Sequence, residues 1–84
     1  MSKHIVPVDD SRVEIRTSVY HCFEHGLLTC YYIGYADECG TACRLSDISR
    51  DYAEIKLKFK NKDYARRMIV TEYDNGNKVY TAVW

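Results

Sequence analysis

Residues 74–77 read Asp-Asn-Gly-Asn and stand between two runs rich in β-forming residues, RRMIVTEY and KVYTAVW. Asn-Gly in that setting is the strongest short-range hairpin signal. A two-residue type I′ turn needs positive φ at both central positions, and Asn and Gly adopt it at least cost. With Asn75 and Gly76 central, Tyr73 is expected to face Lys78, Thr71 to face Tyr80 and Ile69 to face Ala82. One face of the hairpin then carries Met68, Val70, Glu72, Val79, Thr81 and Val83, and reads as core. The other carries Arg67, Ile69, Thr71, Tyr73, Lys78, Tyr80 and Trp84, aromatic with a basic rim. A slip of one residue on either strand would exchange that strand's faces.

The rest of the chain repeats the pattern. VEIRTSVY (13–20) alternates, with Val13, Ile15, Thr17 and Val19 on one side, which is the period of a half-buried strand. LLTCYYIGY (27–35) is apolar on both faces and reads as a central strand. His21–Gly26 is a turn, and TACRL a short third strand. In AEIKLKF, Ile55, Leu57 and Phe59 alternate with lysines, which reads as another strand. SDISRDYAE has room for one helical turn capped by Ser46 or Asp47, and DYARRMI for a short helix capped by Asn61 or Asp63. Residues 1–11, holding Pro7 and Asp9-Asp10, read as a flexible tail.

These signals predict a single mainly β domain over residues 1–84, a small antiparallel barrel or bent meander of about five strands, SH3-like, with at most one short helical turn. An α+β meander is the alternative. A chain of 84 residues buries only about 60% of its unfolded surface, so a metal or a partner would add stability. Eight tyrosines suit both strands and a contact face.

Charge narrows the function. The net charge is zero, which fits neither a strongly acidic DNA mimic nor a basic nucleic-acid coat. Locally the balance is uneven: residues 1–43 carry −3, residues 44–67 carry +4 and residues 68–84 carry −1. Internal pairing of the acidic and basic parts is the expected outcome. No apolar run reaches the length of a signal peptide core or a membrane span, so a cytoplasmic protein without membrane contact is expected. The four cysteines are then reduced thiols or metal ligands.

Three kinds of site compete. Cys22, His25, Cys39 and Cys43, in CFEHG and ECGTAC, form two near-neighbour pairs on turns, the raw material of a zinc-ribbon-like module. The spacing is loose, Gly40 falls inside the second pair, and free cysteines are often simply buried, so no cofactor is the first expectation and zinc the minority one. Lys56, Lys58, Lys60, Lys62 and Arg66 form a basic strip which, with the aromatics Tyr73, Tyr80 and Trp84, suits single-stranded nucleic acid. The same lysines on a strand would serve equally to protect an exposed edge. Arg67, Tyr73, Lys78, Tyr80 and Trp84 form the expected protein contact, because aromatic residues on a rigid sheet are how binding hot spots are built. Catalysis is not expected. His21 and Cys22 are adjacent and would point to opposite faces of a strand, and there is neither a phosphate loop nor a nucleophile elbow. The chain starts at Met1 and ends on a strand, as a complete small reading frame would. The expected role is a non-catalytic protein that modulates or inhibits a larger macromolecular partner, and a virus-encoded modulator of host machinery fits that description.

Overall fold

The computed structural model describes residues 1–36 and 42–84 of the chain. Among the described residues, six strands form two antiparallel sheets. The first holds β1 (Ser2–Pro7), β5 (Arg67–Glu72) and β6 (Lys78–Val83), with β5 central. The second holds β2 (Val13–Cys22), β3 (Gly26–Ala36) and β4 (Ala42–Arg44), with β3 central. Among the described residues one α-helix, α1 (Tyr52–Lys60), lies between β4 and β5 in the chain, and a short 3-10 turn (Asp10–Arg12) precedes β2. The architecture is mainly β, and the two ladders stay open rather than closing into one barrel.

The two sheets and the helix share one core. Val13, Ile33, Tyr35, Cys43 and Leu45 come from the second sheet and the segment after it. Met68 and the partly buried Val6, Tyr80 and Ala82 come from the first sheet, and Ile55 and Phe59 from α1. Residues 2–7, read as part of a tail, are instead a paired strand. Val6 opposite Met68 and Ile5 opposite Ile69 give this segment both faces of a sheet to pack on.

Residues 53–59 are helical, not extended. Asp51 caps the helix, accepting from the N–H groups of Ala53 (3.0 Å) and Glu54 (3.3 Å). Glu54 lies in the first turn and Lys58 and Lys60 in the last, the signs that complement the helix dipole. Ala, Glu, Lys and Leu are all strong helix formers. The alternation of Ile55, Leu57 and Phe59 therefore breaks: Ile55 is buried, Phe59 packs one turn on, and Leu57 is exposed.

After β4 the chain keeps following β3 through a local bulge. Leu45 N–H donates to the Ile33 carbonyl (2.8 Å). Ile33 N–H donates to Ser46 Oγ (2.9 Å), and that hydroxyl donates to the Asp47 carbonyl (3.0 Å). Tyr31 then exchanges two backbone bonds with Ser49, at 2.7 and 2.9 Å. The buried Ser46 side chain thus stands in for a backbone acceptor where the chain steps out of register.

Candidate partner-binding surface

The β5–β6 hairpin forms where Asn-Gly marks it, in a different register. Met68 faces Ala82, Val70 faces Tyr80 and Glu72 faces Lys78. The loop is Asp74-Asn75-Gly76, closed by Tyr73 N–H to the Asn77 carbonyl (2.9 Å) and Gly76 N–H to the Tyr73 carbonyl (3.0 Å). Gly76 takes φ +87°, the position of a glycine bulge after a type I turn, and Asn75 Oδ1 accepts from Asn77 N–H (3.1 Å). A three-residue loop in place of the expected two shifts β6 by one position, and all its side chains change face.

That shift divides the expected contact set. Tyr80 turns to the core side and packs on Tyr35, with ring centroids 5.9 Å apart. Lys78 is on the same side, its Nζ 3.4 Å from Glu72 Oε1. Arg67 and Tyr73 remain on the outer side, joined there by Val79, Thr81 and Val83. The outer face of this sheet reads, in rows across β1, β5 and β6, Pro7–Arg67–Val83, Ile5–Ile69–Thr81 and Lys3–Thr71–Val79. Ile5, Tyr73 and Val79 are exposed. Two cations and no carboxylate lie among these strand residues.

At one corner this surface meets a cleft of about 420 Å³. Arg67, Val83 and the exposed Trp84 line it with Lys58, Asp47 and Asp63. Arg66 also reaches the cleft but is already engaged. Its guanidinium donates to both Asp10 oxygens (2.8 and 2.9 Å) and lies over the Tyr64 ring. The Tyr64 hydroxyl donates to Asp10 Oδ1 (2.7 Å), and Lys62 Nζ is 3.4 Å from Oδ2. These donors, the Arg66 guanidinium first, hold the Asp10 carboxyl well below the usual carboxylate range. Burial and the bond to Asp10 push the Tyr64 phenol up.

The basic strip is dispersed by the same contacts. Lys62 and Arg66 belong to Asp10, and Lys58 lies 3.9 Å from Glu54 one helical turn back. Lys56 and Lys60 sit four residues apart on α1 and are exposed, so the alternating row a strand would have made does not exist. The metal set is separated too. Cys22 pairs with Gly26 at one end of β3 and Cys43 with Tyr35 near the other, about 30 Å apart along the strand. His25 is exposed at the β2–β3 turn, and Cys39 lies outside the described residues. Among the described residues no three His, Cys, Asp or Glu side chains come together to hold a metal ion.

A second exposed region escaped the reading of the sequence. The end of the β2–β3 hairpin carries Val19, Tyr20 and Leu27 (72% exposed), with Phe23 fully exposed at the turn. The signal was present in CFEHGLL, where apolar residues flank a turn on both sides. On the other face of this ribbon Cys30 is buried, and its neighbourhood, ahead of burial, pushes the Tyr20 phenol up.

No helix among the described residues is long and apolar enough to cross a membrane. Comparison with protein-family models, with curated proteins and with solved structures finds no match.

Proposed function

We propose that this chain is a small non-catalytic binding protein that modulates a larger protein partner through the outer face of β1, β5 and β6. One observation carries the proposal. Ile5, Tyr73, Val79 and Trp84 are exposed on or beside a sheet face whose charged strand residues, Lys3 and Arg67, are both cations. Exposed aromatic and aliphatic groups beside an arginine are the composition of binding hot spots. A carboxylate-bearing partner surface complements it, because the planar Arg67 guanidinium can grip a carboxylate through two hydrogen bonds. Among the described residues no ion pair engages Arg67. In this role the two sheets would act as a rigid SH3-like platform that holds the face in shape.

The test is affinity capture with the wild-type chain and with an Arg67→Glu/Trp84→Ala double variant, with thermal melting of both. Loss of a specific acidic partner by the variant at unchanged melting temperature supports the proposal. Capture that is indifferent to both substitutions refutes it. The same face, with Tyr73 and Trp84 as stacking groups, would also suit a single-stranded nucleic acid. Oligonucleotide binding that falls steeply with salt would move the function to that class.

A further inference from the structure

β2 is an edge strand of ten residues. Tyr31 spends both its N–H and its C=O on Ser49, away from β2. In an antiparallel ladder its cross-strand partner, Thr17, must then turn its own N–H and C=O away from β3. By the period of two, Ile15, Val19 and His21 do the same. Among the described residues no backbone bond from outside the sheet reaches these four positions. They form a row of open donors and acceptors along one side of the molecule.

Sheet edges are normally protected by charged side chains, lysine above all, by proline, by a bulge or by short length. The other edges here have such devices. β1 carries Lys3 and Pro7, β4 has three residues, and β6 has six with Lys78 at its start. β2 has neither lysine nor proline, its Glu14 and Arg16 pair with each other (2.6 Å), and its pairing with β3 runs unbroken from Val13–Tyr35 to Cys22–Gly26. Its exposed end also bears Val19 and Tyr20.

We infer that β2 pairs antiparallel with β2 of a second copy about a two-fold axis at Ser18, merging two three-stranded sheets into one continuous sheet. The open groups belong to odd-numbered residues, so only registers that set odd against odd can form the bonds. Of the two that use nearly all of the strand, one is centred on Thr17 and the other on Ser18. Centring on Thr17 makes the two Arg16 side chains diagonal neighbours on one face, an unfavourable approach of like charges. Centring on Ser18 separates them and sets each Arg16 opposite Tyr20 of the second copy, a cation over an aromatic ring. In that register Glu14 meets Cys22, Ile15 meets His21, and the exposed Val19 meets Thr17. No like charges oppose one another. The strand complements itself, which singles out a second copy as its occupant. This dimer is independent of the outer face of the other sheet.

Sedimentation equilibrium of the full chain from low to high micromolar concentration tests it. The expected result is a reversible dimer, with amide protection of Ile15, Thr17, Val19 and His21 rising as it forms. Thr17→Pro removes an N–H that faces away from β3, a position where an edge strand tolerates proline. Val19→Lys adds an edge charge and serves as a second block should the proline variant fail to fold. Both are expected to be monomeric with the circular dichroism of the wild type. Charge at position 20 reads the register. Tyr20→Lys, opposite Arg16, should weaken the dimer at least tenfold, whereas Tyr20→Glu should hold it. The reverse order, a monomeric wild type throughout the range, or dimers undisturbed by Thr17→Pro and Val19→Lys would each overturn the proposal.

Discussion

The β2–β3 and β5–β6 hairpins both turn beside a glycine of positive φ, Gly26 at +76° and Gly76 at +87°. Their surroundings differ. The β5–β6 turn is polar, Asp74-Asn75-Gly76, held by Asn75 and by the N-terminal ammonium group 2.6 Å from Asp74. β5 has a strand on each side and sends Met68 and Val70 into the core. The β2–β3 hairpin is longer, its base is covered, and its end is bare and apolar. A hairpin fastened along its whole length can end in polar residues. One that runs past its core and still carries Val19, Phe23 and Leu27 holds contact area that its own fold does not use.

The widest contrast between the two should appear in stability. Met68→Ala, at a position with no exposed surface, should cost about 2–5 kcal/mol. Leu27→Ala should change stability by no more than about 0.5 kcal/mol. Equilibrium urea unfolding of both variants measures the gap, and comparable losses would mean that the hairpin end is packed after all.

Next in size is the bulge that carries the second sheet past Ser46. Ser46→Ala would leave the buried Ile33 N–H without its acceptor and should cost about 1–3 kcal/mol. Ser46→Thr, which keeps the hydroxyl, should recover part of that in the same unfolding assay.

The glycine turns should respond alike. A Cβ at Gly26 or Gly76 meets nothing within 4 Å, so only the positive φ penalises alanine. About 1 kcal/mol is expected at each. Unequal thermal melts would show that one turn depends on its glycine for a further reason.

The smallest effect lies at Asp10, a partly exposed group that ties residues 62–66 to the segment between β1 and β2. Its folded pKa is depressed, so its contribution is complete above the unfolded value of about 4 and is lost as pH falls below it. Wild type should therefore lose stability more steeply than Asp10→Asn on acidification from about pH 4 downwards. Parallel acid titrations followed by circular dichroism would show it.

Much of this fold was legible as alternation. VEIRTSVY and LLTCYYIGY gave β2 and β3, and Asn75-Gly76 located the last hairpin. Three features were hidden for identifiable reasons. The length of a hairpin loop is set by backbone dihedrals that Asn-Gly permits in more than one arrangement, so the register of β6, and with it the place of Tyr80, could not be read from the dipeptide. Ile55, Leu57 and Phe59 satisfy a strand period, but Asp51 followed by Glu54 was the helix-start signature that decided the segment. β1 was invisible because its partner lies at the far end of the chain. Of the expected contact residues, Arg67, Tyr73 and Trp84 are exposed, whereas the grouping with Tyr80 and Lys78 depended on the register.

The pairing of β1 with β5 also dictates an order of events. Ser2 meets Glu72 and Pro7 meets Arg67, across 70 and 60 residues of chain. β2 and β3 meet across a turn. Closing the short loop costs little entropy, whereas closing the long one is slow and gains nothing until both ends are present. During synthesis the β2–β3 hairpin can form before β5 has left the ribosome, and β1 must wait for β5. The unpaired β2 edge is then exposed throughout that interval, at high local concentration on a polysome. A nascent copy of the same chain would be the nearest strand to meet it.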